Sequence, residues 1–151
     1  MSVKHVPEGY HTAIPYLVVD GAARALDFYT QAFGAKELMR MPGPDGRIGH
    51  AEIMIGDSHI MLADEHPEQG HRGPKSFGGS PVGIMLYVED VDTMFRTALS
   101  LGATETRAVE NQFYGDRMGS LTDPFGHNWM IATHFEDVSP EEMERRMKAM
   151  G

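Results

Sequence analysis

The residue types best suited to chemistry cluster between positions 50 and 61, where His50, Glu52 and His59 lie among Met54 and Met61. A carboxylate flanked by imidazoles suits general base catalysis. Two His and one carboxylate also make a chemically reasonable metal triad. The segments 48–55 and 58–63 flank Gly56-Asp57, a two-residue hairpin signal. A turn of that length sets Ile55 opposite Ser58, Ile53 opposite Ile60 and Glu52 opposite Met61. Strand alternation then puts Ile53, Ile55, Ile60 and Leu62 on one face. His50, Glu52, Met54, His59, Met61 and Ala63 fall on the other. The aliphatic face suits packing under helices, and the mixed face has the composition of a cavity wall. A carboxylate among methionines is costly to desolvate, so the Glu52 pKa is expected to rise unless His or Arg pairs with it. Glu52 with His59 or His50 is therefore the candidate catalytic set. His11 is placed at the mouth of this wall, on the first strand.

A second group is Tyr114, Asp116 and Arg117. Tyr114 and Arg117 offer a phenol and a guanidinium to an anionic or oxygen-rich ligand. The alternative is that Asp116 and Arg117 pair with each other and brace a turn. His127 follows a Pro-Phe-Gly turn and is expected to bond the backbone, with Trp129 and Ile131 in the core. No Ser-His-Asp order or glycine-rich phosphate loop is present. The chain has no cysteine, which removes disulfides, thiolate nucleophiles and Cys-ligated zinc. Its twelve methionines serve either as adaptable core filler or as a pliable pocket lining.

The elements that must position these groups are readable. Residues 14–19 form a short apolar strand, and Asp20 is a plausible N-cap for a helix over 22–33 that ends at Gly34. Residues 35–40 are extended, and a turn cluster at 42–46 precedes the hairpin. From 64 to 81 the chain is rich in Gly, Pro, His and charge, and reads as a connection. The pattern then begins again. A strand over 82–88 leads to Asp90 as an N-cap, and a helix carries Val91, Met94, Phe95, Ala98 and Leu101. Gly102 closes it, 103–109 is extended, and 117–122 pairs with 128–133. Phe33-Gly34-Ala35 is echoed by Leu101-Gly102-Ala103, and Val18-x-Asp20 by Val88-x-Asp90. The fold class is therefore α+β, with two tandem βαβββ modules in one 151-residue domain. Module 1 covers about 11–64, the linker about 65–80, module 2 about 81–134 and a C-terminal helix about 139–149. That helix opens on Ser139-Pro140-Glu141-Glu142, a capping box with Pro at its first position.

Net charge is −9, and no basic run is longer than Arg145-Arg146, which argues against a nucleic-acid partner. No stretch approaches the ~20 apolar residues of a membrane span. The polar first ten residues lack the apolar core of a signal peptide, so a cytoplasmic protein is expected.

Several motifs together resemble one family. They are Pro15-Tyr16-Leu17, Ala25-x-x-Phe28-Tyr29-x-x-x-Phe33-Gly34-Ala35 and Tyr114-Gly115-Asp116-Arg117-x-Gly119, followed by Asp123-Pro124-Phe125-Gly126-His127-x-Trp129-x-Ile131. The tail Thr133-His134-x-Glu136-Asp137-Val138-Ser139-Pro140-Glu141-Glu142 completes the set. In order and spacing, over about 11–145, they look like the PhnB-like branch of the vicinal oxygen chelate (glyoxalase, bleomycin-resistance and dioxygenase) superfamily. The resemblance implies eight strands in two curved half-barrels around a cavity, a homodimer, and in many members a divalent metal held from the first, fourth, fifth and eighth strands. Carried onto this chain, those ligand positions fall between Ala13 and Pro15, on Met61, on Gly83 (or Ile84) and on Met130. None is a usual ligand for such metals. No metal and no cofactor are therefore expected. A displaced triad of His50, Glu52 and His59 stays open, although His50 and Glu52 are about 6.6 Å apart along a strand. The expected ligand-binding residues are Met61, Met130, Met54, Tyr114 and Arg117. Two functions compete: a module that binds a small molecule without converting it, and a lyase, isomerase or dioxygenase using a Glu/His base or a displaced metal.

Overall fold

The computed structural model describes residues 2–151, and the chain divides at Gly79/Ser80 into two compact units. The first contains β1 (Tyr16–Val19), α1 (Ala22–Phe33), β2 (Lys36–Pro42), β3 (Ile48–Ile55) and β4 (Ser58–Asp64). Its sheet has the order β1-β4-β3-β2, with β1 parallel to β4 and the other pairs antiparallel. The second contains β5 (Gly83–Tyr87), α3 (Val91–Ser100), β6 (Thr104–Asn111), β7 (Asp116–Thr122), β8 (Asn128–His134) and α4 (Pro140–Ala149). Its sheet order, β5-β8-β7-β6, repeats the first. The class is α+β, and each unit is a βαβββ module. Among the described residues no helix is long and apolar enough to cross a membrane.

The β3–β4 hairpin has the register that its two-residue turn dictates. Ile55 faces Ser58, Ile53 faces Ile60 and Glu52 faces Met61. Gly56 supplies the positive φ of 58° that the turn needs. Ile53, Ile55, Ile60 and Leu62 are all buried, together with Ala22, Ala25, Leu26, Tyr29 and Phe33 of α1. Helix α1 is thus seated on the aliphatic face. In the second unit Trp129 and Ile131 are fully buried, as their alternation requires. The strand β1 begins later than the sequence suggests, at Tyr16 rather than residue 14. Pro15 has no amide to donate to a ladder, and only its carbonyl is used, by the Met61 amide at 3.0 Å.

The N-terminus of α1 is capped differently from expectation. Asp20 is exposed, Gly21 stands at the cap with φ 103°, and no side chain of its own segment caps the helix. The free amides of Gly21 and Ala22 instead donate to Asp64 Oδ1, both at 2.8 Å, while Asp64 Oδ2 accepts from the Ile48 amide at 2.8 Å. One buried carboxylate at the end of β4 therefore joins the start of α1 to the start of β3. In the second unit Asp90 caps α3 through the Thr93 amide, and Thr133 Oγ1 accepts from the Val91 amide. The turn before β8 is held by Asp123, which accepts from the Phe125 and His127 amides and from Trp129 Nε1.

The segment between β4 and β5 is more structured than a plain connection. A 3-10 turn (Pro67–Gln69) and the short helix α2 (Pro74–Phe77) lie in it. Glu65 Oε1 accepts from the Gly73 amide and the Ser76 hydroxyl, each at 2.6 Å. A Cβ on Gly73 would lie 2.7 Å from the Val18 carbonyl oxygen, so only glycine passes there. Helix α4 is capped by Ser139, which accepts from the Glu142 amide at 3.1 Å. Its Arg146 pairs with Glu136 through both terminal nitrogens and donates to the Phe113 carbonyl, which ties the tail to the second unit.

Replacing Asp64 by Ala strands three backbone amides in the interior, at a cost of about 1–3 kcal/mol for each donor left unsatisfied. Urea unfolding of Asp64→Ala should show a loss of several kcal/mol, whereas Asp20→Ala should leave the midpoint nearly unchanged. Equal effects at the two positions would refute the capping role of Asp64.

Candidate functional site

The strand β3 projects His50 and Glu52, and β4 projects His59 and Met61, from the face that does not carry the aliphatic core. His50, Met54, His59 and Met61 are half-buried there, and Glu52 is only 7% exposed. Tyr10 and His50 contact the Glu52 carboxyl directly, and Tyr16 reaches it through His50. The Tyr10 hydroxyl donates to Glu52 Oε1 at 2.5 Å, and its ring stacks on His59 with centroids 4.2 Å apart and planes 22° apart. His50 Nε2 lies 2.9 Å from Glu52 Oε2, and His50 Nδ1 lies 2.8 Å from the Tyr16 hydroxyl.

The Tyr10 hydroxyl, and after it the His50 imidazole, hold the Glu52 carboxyl below the usual carboxylate range and outweigh the opposing effect of burial. An ionised Glu52 accepts from His50 Nε2, and in the neutral ring that tautomer leaves Nδ1 to accept from the Tyr16 hydroxyl. The result is a continuous chain, Tyr16 to His50 to Glu52 from Tyr10. The Tyr10 phenol is correspondingly raised by its bond to Glu52, and that of Tyr16 by burial and then by the Glu52 charge. The rise expected for an unpaired Glu52 does not occur, because His50 supplies a histidine partner and Tyr10 adds a stronger one. Pairing decides the sign, and the stronger partner is a tyrosine.

Both nitrogens of His50 are engaged, and the His59 ring is covered by Tyr10. Among the described residues no group of three or more His, Asp or Glu side chains is placed to hold a metal ion. The positions that would carry the family's metal do not fit one either. Met61 and Met130 present thioethers, and the Met130 methyl lies 3.0 Å from where a Cβ on Gly83 would stand. The side chain of Met130 thus fills the space beside the glycine. His11 is exposed and precedes β1 rather than lying on it.

The second unit handles its own candidates separately. Adjacent strand residues point to opposite faces, so Asp116 and Arg117 cannot share a partner. Buried Asp116 accepts from the Tyr87 hydroxyl and faces His134 Nδ1, each at 2.7 Å, while His134 Nε2 meets Asp137 at 2.7 Å. Arg117 points toward α3 and makes a two-pronged pair with Asp92 at 2.8 and 2.9 Å, with a further bond to Asn111. It lines a small pocket of about 170 Å³ with Asp92 and Thr133. Its guanidinium is committed there, so the alternative in which Asp116 and Arg117 brace each other is not what forms. Among the described residues the Tyr114 hydroxyl meets only the Met118 sulfur, at 3.8 Å.

Tyr10, Tyr16, Tyr87 and His134 were not legible as site residues. For Tyr16 a signal existed, since parallel pairing with β4 puts it opposite Met61 and on the same face. Tyr10 lies in a polar segment without periodicity, and nothing in the sequence points to it.

The family model of the Glyoxalase/Bleomycin resistance protein/Dioxygenase superfamily matches residues 10–131. An uncharacterized protein of Mycobacterium tuberculosis is 46% identical over 140 residues, covering 91% of this chain and 82% of that protein. The X-ray structure of an Arabidopsis thaliana gene product superposes with a TM-score of 0.67 at 27% identity, covering 82% of this chain and 98% of that one. A PhnB protein from Bacillus cereus superposes with a TM-score of 0.61 at 17% identity, over 82% of this chain and 99% of that one. At that identity the last likeness speaks for the fold alone.

His134 faces a carboxylate from each ring nitrogen, and its pKa is raised above 6.5 by Asp137 first and then by Asp116. A raised histidine contributes stability that is complete below its unfolded pKa and is lost as pH climbs through the folded value. Urea midpoints should therefore fall between about pH 6.5 and the higher pKa of the folded protein, and His134→Gln should flatten that slope. A slope unchanged by the substitution would remove His134 as its source.

Proposed function

The chain belongs to the glyoxalase/bleomycin resistance protein/dioxygenase superfamily, and from that premise we propose that it is a small-molecule-binding member that takes its ligand against the Glu52 wall of the first unit without the family's metal. The ionisation state of Glu52 carries this reading. A carboxylate held low by Tyr10 and His50 is a strong anionic acceptor at neutral pH and a weak base. General base catalysis works best when the pKa lies near the working pH, and Glu52 is moved the other way. Met54 and Met61 beside it supply apolar contact that adapts to a ligand's shape. The methionines at two of the usual ligand positions support the metal-free part of the proposal.

One observation favours catalysis instead. Tyr16 and His50 form a connected route by which a proton can reach Glu52, and relaying a proton to or from a carboxylate is what a lyase or isomerase needs. Glu52→Gln separates the two readings, since it keeps the shape and removes the charge. For a binding protein it should weaken ligands found by thermal-shift screening by about tenfold, the order expected for one charge-assisted hydrogen bond. Any turnover detected in the wild type that falls by about two to four orders of magnitude in Glu52→Gln would favour the enzyme. Elemental analysis should find far less than one metal per chain, and chelation should leave ligand affinity unchanged. A stoichiometric metal whose removal abolishes binding would overturn the metal-free reading.

The protein is further proposed to be a homodimer. Val82 and Tyr87, exposed at 65% and 63% on and beside the edge strand β5, support this as apolar surface that a second copy covers. Light scattering at micromolar concentration should give twice the chain mass, and a monomer would end the proposal.

A further inference from the structure

The segment before β1 is exposed along almost its whole length, from residue 2 to 9 and from 11 to 13. Its internal bonds are local: Lys4 pairs with Glu8, and the Tyr10 amide donates to the Pro7 carbonyl. Among the described residues from 2 to 14, the Tyr10 side chain alone makes a hydrogen bond or ring contact with the sheet. One side chain thus fastens a solvated strap to the Glu52 wall, and it does so with two different interactions. Its ring lies flat on the His59 imidazole, and its hydroxyl is spent on an ionised carboxylate. Such a pair of contacts recognises a chemical class, because stacking selects a flat ring and the acceptor selects a donor at its edge. Met54 and Met61 flank the wall without offering a second polar contact, so the ring itself need carry no charge.

Resting on the reading that this wall binds a small molecule, we propose that Tyr10 is an internal stand-in for the ligand: the wall formed by Glu52 and His59 takes a phenol, which enters by displacing the Tyr10 side chain. The strap makes displacement cheap. Releasing Tyr10 breaks one hydrogen bond and one stacking contact, while Ile53, Ile55, Ile60 and Leu62 of the aliphatic core lie on the other face of the sheet. The incoming phenol restores both contacts. Glu52 needs no change of protonation, because its acceptor role is the same for either phenol, and the His50 and Tyr16 bonds behind it stay in place. Tyr10 also keeps a buried carboxylate satisfied when no ligand is present, which an open wall would leave to water.

An internal competitor lowers the apparent affinity by the fraction of molecules in which it vacates the site. If Tyr10 is seated in about nine molecules of ten, its removal raises apparent affinity on the order of tenfold. The probe is 4-methylphenol, the tyrosine side chain in free form, titrated into wild-type protein, Tyr10→Ala and Tyr10→Ala with Glu52→Gln. Binding is read from the imidazole resonances of His59 and His50, with toluene as the probe that lacks the hydroxyl. The expected result is tenfold tighter binding to Tyr10→Ala than to the wild type, an intermediate value for Tyr10→Phe, a clear preference over toluene, and loss of that preference when Glu52→Gln is added. Equal affinity in the wild type and Tyr10→Ala, or no preference over toluene, overturns the proposal. If screened ligands still lose affinity in Glu52→Gln while 4-methylphenol ignores the removal of Tyr10, the wall binds small molecules and the phenol assignment alone is wrong.

Discussion

A carboxylate removed from water must be given donors where it lies, and four of them organise this protein. Glu52, Asp64, Asp116 and Asp123 are the buried polar or charged side chains among the described residues. Each accepts from more than one partner, and the partners come from different segments of the chain. Asp64 holds the first turn of α1 and the start of β3. Asp123 holds its own turn and the indole of Trp129 at the centre of the second core. No buried side-chain nitrogen or oxygen among the described residues lacks a partner. In low dielectric an unpaired carboxylate would cost several kcal/mol, so these four fix which segments must meet.

The four divide by the kind of donor they use. Asp64 and Asp123 are satisfied chiefly by backbone amides, which cannot be withdrawn without opening a helix end or a turn. Glu52 and Asp116 are satisfied by side chains, Tyr10 and His50 in one case and Tyr87 and His134 in the other. Side-chain donors can rotate away, titrate or be exchanged for a ligand group. That difference separates Asp64, whose donors are fixed in the backbone, from Glu52, whose donors are side chains, although both are about equally buried.

At the positions that the family resemblance assigns to a metal, this chain carries thioethers and small residues: Met61, Met130 and Gly83. Met130 turns its methyl into the space beside Gly83, so one would-be ligand fills room at another. The middle strands of the first sheet carry His50, Glu52 and His59 on one face. Each of these has already found a partner within the unit. A metal would have to compete with Tyr16 for His50, with Tyr10 for Glu52 and with the stacked ring on His59.

Much of the architecture was legible in the residues. Gly56-Asp57 between two alternating runs determined the register of β3 against β4, and thereby which side chains share the Glu52 face. The echo of Phe33-Gly34-Ala35 in Leu101-Gly102-Ala103 determined that one module occurs twice. Both are local signals, written in a period of two or of 3.6 and in a glycine that permits a turn. Tertiary structure decided the rest. Asp64 supplants Asp20 at the α1 cap because a strand end brings it there from 42 positions away, and its burial leaves it no water to bind. Arg117 pairs with Asp92 because strand parity turns it toward α3 and away from its neighbour Asp116. The direction of the Glu52 pKa was open for the same reason. The sequence supplied a carboxylate among methionines, but the sign depends on donors within about 3 Å. Of those donors the strongest, Tyr10, comes from an aperiodic segment whose position only the folded chain can specify.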